Sequence, residues 1–115
     1  MLTVTTFADG PAAGQSFHLQ RSPVFLRIVL SGEGQYDALD QLDDAPAAEE
    51  CIFAYRVLPD SRGTCHVDAI ENGRRVGRWY ELAKYVLYAI QPLDSVMRDN
   101  DKWRAWCAEQ VKEKA

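Results

Sequence analysis

Four side chains near the middle of the chain have the types that bind or react: His66, Asp68, Arg75 and Trp79. They flank Asn72-Gly73, the dipeptide that best tolerates the positive φ required at both positions of a two-residue type I′ hairpin turn. With those two residues as the loop, Glu71 lies opposite Arg74, Ala69 opposite Val76, Val67 opposite Arg78 and Cys65 opposite Tyr80. Ile70 then meets Arg75, Asp68 meets Gly77 and His66 meets Trp79, so the four residues share one face of a hairpin. A carboxylate beside an imidazole orients it or raises its pKa, the arrangement general-base catalysis uses. A pocket around this face would make the chain a small ligand-binding protein or enzyme. A purely structural arrangement pairs Asp68 with Arg75 and stacks His66 on Trp79. Cys65 and His66, adjacent on a strand, point to opposite faces and form no thiolate–imidazolium pair.

The second constellation is acidic. Between Glu33 and Glu50 lie seven of the chain's 17 acids and none of its 13 bases, which leaves the remainder of the chain net positive. Asp37, Asp40 and Asp43, spaced by three, would share one side of a helical turn, where three carboxylates can hold a divalent cation. The spacing is not that of an EF-hand loop, and Pro46 among Ala45, Ala47 and Ala48 reads as an exposed connection. The favoured reading is therefore a contact surface made by Asp37, Asp40, Asp43 and Asp44. Its counterpart is the basic hairpin with Arg62, Arg74, Arg75 and Arg78. Two copies would dock head to tail or reciprocally through these regions, unless the same regions pair within one chain. Arginines beside Trp79 and Tyr80 also resemble a grip on single-stranded nucleic acid. Four arginines in a chain of net charge −4 and pI near 5.1 argue against that as the main role.

Other chemistry finds little support. His18, His66, Cys51, Cys65 and Cys107 show no Cys-x-x-Cys or His-x-x-x-His spacing, and no nucleophile elbow, phosphate-binding loop or dinucleotide fingerprint occurs. No metal or cofactor is expected. Three cysteines at irregular spacings fit reduced thiols in a core better than a disulfide framework.

The elements that must position these residues follow from period and punctuation. A chain of 115 residues, 47% hydrophobic, makes one domain spanning 1–115. Leu2–Phe7 is a Thr- and Val-rich strand halted by Asp9-Gly10-Pro11, and Ser16–Leu19 is a short second strand. Val24–Leu30 and Cys51–Leu58 are too apolar for strands with one wet face and belong inside a sheet. Glu81–Ile90 fits strand or helix; its aromatic and β-branched residues favour a strand. Pro92 then breaks the chain before a connecting turn. Asp99-Asn100-Asp101 starts a C-terminal helix that buries Trp103, Cys107 and Val111, with Trp106 at the edge of the stripe as an interface candidate.

The resulting expectation is an α+β domain: a mainly antiparallel, twisted sheet or partial barrel of five or six strands with a C-terminal helix. No apolar run approaches the roughly 20 residues a membrane-spanning helix needs, and the N-terminus lacks a secretory h-region, so a cytoplasmic protein that does not meet the membrane is expected. Richness in Ala, Arg, Asp and Gly suits a bacterial or phage source. The expected function is non-enzymatic protein–protein interaction or structural assembly through the acidic segment 33–50 and the hairpin 62–80. The partner is another protein or a second copy, and a homo-oligomer is favoured; a small molecule is the alternative partner.

Overall fold

Runs of β-branched and aromatic residues, each stopped by Gly, Pro or Asn-Gly, become the strands of one mixed sheet in a computed structural model that describes residues 2–39 and 46–113. The strands are β1 (Thr3–Phe7), β2 (Ser16–Leu19), β3 (Phe25–Leu30), β4 (Tyr36–Leu39), β5 (Cys51–Val57), β6 (Gly63–Glu71) and β7 (Arg74–Leu87). Two helices follow, α1 (Asp94–Arg98) and α2 (Asn100–Glu113). The order across the nearly closed sheet is β2-β1-β7-β5-β3-β4, with β6 paired to β7. β1 runs parallel to β7 and every other pairing is antiparallel.

The α+β class, the partial barrel and the C-terminal helix agree with the sequence reading, and three of the elements differ from it in detail. Residues 74–80 and 81–90 do not form separate strands but one 14-residue strand, β7, that stops at Leu87. Tyr36–Leu39 pairs with β3 as an edge strand, so Asp37 stands on a strand and not on a helical turn. The turn expected after Pro92 contains α1, whose Arg98 reaches back to the carbonyls of Ala47 and Glu50 at 2.9 and 2.6 Å.

Period two distributes the apolar residues between two cores. Phe7, Leu26, Ile28, Tyr55, Val57, Ala83 and Tyr85 fill the concave side of the sheet. Phe25, Val29, Ile52 and Ala54 look outward and meet Met97 of α1 and Trp103 of α2. Both faces of β3 and β5 are thus covered, which is why their sequences show no polar alternation. The one charge in β3, Arg27, is 2% exposed. Its guanidinium donates to the Met97 carbonyl at 2.8 Å and to Asn100 Oδ1 at 2.9 Å and lies 5.4 Å from the Trp103 ring centre. Those two hydrogen bonds tie α1 and the start of α2 to the sheet, because losing them would leave guanidinium donors buried without acceptors.

Tyr55 performs a similar task at the barrel end. Its hydroxyl accepts from the Ala12 N–H at 2.9 Å and donates to the Asp9 carbonyl at 3.1 Å, holding the turn after β1 over the core. Burial raises its phenol pKa above the usual range.

Trp103 is buried and Trp106 half-buried, stacked on Trp103 with centroids 5.3 Å apart and edge-on to Phe25. Val111, expected beneath the helix, is exposed. Cys51 is exposed at the start of β5 and not in a core; all three cysteines are free thiols.

Candidate functional site

β6 and the first half of β7 leave the barrel together as an arm. The reason lies in how the edges of β7 are occupied. Its last residues pair with β5 on one side, and Glu81 to Tyr85 pair with β1 on the other. Arg74 to Tyr80 find β6 on one side and no strand opposite, among the described residues. The turn at the tip has Asn72 at φ 50° and Gly73 at φ 76°, as a type I′ turn requires. The radius of gyration of 15.6 Å exceeds the roughly 13 Å of a compact chain of this length, as an arm projecting from a barrel would make it.

The cross-strand register is the one read from the sequence at every position, from Glu71↔Arg74 to Cys65↔Tyr80. One face carries Cys65, Val67, Ala69, Val76, Arg78 and Tyr80; the other carries His66, Asp68, Ile70, Arg75, Gly77 and Trp79. Neither face is covered: Ile70 is 80% exposed, Trp79 58% and Val67 43%.

The His/Asp/Arg/Trp constellation assembles in part. The His66 ring packs on Trp79 with centroids 4.9 Å apart and lies over Gly77, where a Cβ would stand 2.5 Å from Nε2. Glycine opposite Asp68 therefore makes room for the imidazole. His66 Nδ1 is 3.8 Å from Asp68 Oδ1, too far for a hydrogen bond. Arg75 makes no ion pair with Asp68; the ion pair on the arm is diagonal, with Arg78 Nε and Nη2 forking onto the two Glu71 oxygens at 2.9 and 2.7 Å. That fork holds the Glu71 carboxyl below its ordinary pKa range and raises Arg78. His66, Asp68, Arg75 and Trp79 are all exposed and line none of the described clefts, so this face is an open surface.

Of the acidic candidates, Asp37 is exposed on β4, where its carboxylate caps the Ala38 N–H at 2.8 Å. Asp40, Asp43 and Asp44 lie outside the described residues. Glu33 and Glu49 are exposed, and Glu50 closes a turn by accepting from the Ala47 N–H at 2.7 Å. No ion pair among the described residues joins this segment to the arm, and Arg74 and Arg75 have none at all. Trp106 faces Phe25, Tyr88 and Trp103 and belongs mainly to the core under α2. Among the described residues no three His, Cys, Asp or Glu side chains converge as metal ligands.

The sequence reading passed over a cleft of about 470 Å³ between β3 and α2, walled by Phe25, Leu39, Trp103 and Val111 with Arg27 beneath. The signal for it was a single arginine within an apolar strand. The guanidinium groups of Arg21, Arg27 and Arg104 around it are engaged within the chain. No helix of the described residues is long and apolar enough to cross a membrane. Comparison with models of known protein families, with curated proteins and with solved structures returned no match.

Proposed function

We propose that this chain is a homo-assembling interaction protein whose arm is completed by a second copy. The observation that carries this reading is the exposure of the arm on both faces. A two-stranded ribbon is marginal in water unless it gains further strands or a packed face. Ile70, Trp79 and Val67 leave apolar surface on the arm, and a partner strand laid beside it would widen the ribbon into a sheet and cover that surface in part. Charge supports the same partner: among the described residues Arg74 and Arg75 at the tip have no ion pair, while Glu33, Asp37 and Glu49 offer exposed carboxylates on the acidic segment. Opposite patches on one molecule attract copies of it and speed their encounter.

The test is molar mass by light scattering after size exclusion, at low and high salt, for the natural chain, Ile70→Ser/Trp79→Ser and Arg74→Glu/Arg75→Glu. The reading expects a multimer that either double substitution reduces to a monomer with unchanged far-UV circular dichroism. A natural chain that stays monomeric at every salt concentration refutes it.

A further inference from the structure

We infer that the two copies join through the outer edge of β6, antiparallel and centred on Val67, so that two arms merge into one four-stranded sheet. This rests on the self-assembly reading and specifies its geometry.

The edge itself is the first argument. Natural edge strands are blunted by Lys, Pro, bulges or inward charges because unpaired backbone groups invite pairing. The free edge of β7 follows that rule, with Arg74, Arg75 and Arg78 in seven residues. β6 does not: Gly-Thr-Cys-His-Val-Asp-Ala-Ile-Glu has no Lys, Arg or Pro and pairs regularly with β7 over its whole length.

Backbone parity then limits the register. The turn makes Glu71 and Arg74 a hydrogen-bonded pair. Alternation assigns the backbone groups of residues 63, 65, 67, 69 and 71 to β7 and turns those of Thr64, His66, Asp68 and Ile70 outward. An antiparallel partner strand must match outward residues with outward residues. Near the middle of the edge this allows a two-fold centre at His66, Val67 or Asp68. Centring on His66 sets His66 against its own copy, and centring on Asp68 sets Asp68 against its own copy, a like-charge pair. Centring on Val67 sets His66 against the partner's Asp68 and Asp68 against the partner's His66. It also uses all four outward residues of each strand, forming about eight backbone hydrogen bonds.

The same register packs side chains. Val67 meets the partner's Val67 as a non-hydrogen-bonded pair, the closer kind, with Cα atoms about 4.5 Å apart. Cys65 meets the partner's Ala69. The interface is isologous, so it closes at two copies. Four strands also exceed the number at which a sheet with an apolar face stands alone in water.

The experiment introduces Val67→Cys into a Cys51→Ser/Cys65→Ser chain, with Ala69→Cys in the same background as control. The remaining thiol, Cys107, is half-buried with its pKa pushed up to about 12, so it stays out of the reaction. On mild oxidation Val67→Cys is expected to give a disulfide-linked dimer, because its separation suits the bond. Ala69→Cys is expected to give none, its mate lying about 13 Å along the strands. The exchange His66→Asp/Asp68→His should dimerise like the natural chain, whereas Asp68→Arg alone should weaken dimerisation at least tenfold. A multimer in which Val67→Cys does not cross-link, or cross-links no better than Ala69→Cys, overturns this register and leaves self-assembly standing. A monomer overturns both.

Discussion

Replacing Tyr55 by Phe removes one oxygen and asks whether the turn over the barrel end is held as the contacts indicate. The hydroxyl serves the Ala12 N–H, which belongs to a fully buried residue, and the Asp9 carbonyl, which belongs to an exposed one. The Asp9 carbonyl can turn to water at small cost. The Ala12 N–H cannot, and a buried donor left without an acceptor costs about 1–3 kcal/mol. With partial compensation from the more apolar ring, the expected loss is about 2 kcal/mol. For a chain of 115 residues this lowers the melting temperature by about 8 °C and the urea midpoint by about 1–1.5 M at an unchanged slope. Scans at one fixed protein concentration keep self-association from entering the comparison. Hydrogen exchange at the Ala12 amide reports the same event locally and should accelerate more than exchange in β3. A change below about 0.5 kcal/mol, with Ala12 still protected, would refute the assignment of this hydroxyl as the anchor of the turn.

Two further outcomes concern titration. The Glu71 carboxyl is depressed by Arg78, so the stability it contributes to the arm is present above the ordinary carboxylate range and lost as pH falls through its lowered value; Arg78→Ala should return the Glu71 titration, followed by NMR, to the ordinary range. Burial pushes the Cys107 thiol up to about 12 from the ordinary 9.0, against a weaker opposing pull from Arg27, so the folded chain keeps a proton that the unfolded chain gives up. Stability measured by urea titration should therefore fall as pH rises from about 9 towards 12, and alkylation near neutral pH should mark Cys51 well before Cys107.

The elements legible in the sequence are those in which one local signal dominates. Asn72-Gly73 fixes a turn, the turn fixes the register, and every cross-strand pair on the arm follows. The apolar runs of β3 and β5 announce a sheet covered on both faces. β4 was hidden because its four residues lie inside an acidic run, where the alternation of exposed Asp37 with buried Ala38 is easily mistaken for a charged loop. The length of β7 was hidden for another reason: nothing in residues 78–82 shows that the same strand changes partners there, from β6 alone to β1 as well. The site divides in the same way. The face shared by His66, Asp68, Arg75 and Trp79 could be read from period two, but whether that face closes into a pocket depends on where the rest of the barrel lies. The ion pair on the arm runs diagonally from Arg78, which stands opposite Val67, past Ala69 to Glu71, four residues along β6.

The way β7 is shared between arm and barrel also orders the assembly of the chain in time. β6 and β7 are joined by two residues, so the hairpin can close in microseconds without help from the rest of the protein. β1 reaches β7 only by closing the long stretch between Thr3 and Glu81, a separation of 78 residues, and a parallel pairing of that span is slow. On a ribosome β1 emerges well before β7 and has only β2 to pair with until β7 has been made. The nascent chain is therefore expected to pair β6 with β7, as a marginal ribbon, before it has a barrel, with the outer edge of β6 open to any strand nearby. Under the proposed self-assembly, neighbouring chains on one messenger would meet through those arms early, and the crowding of translation would decide how many begin their association before they finish folding.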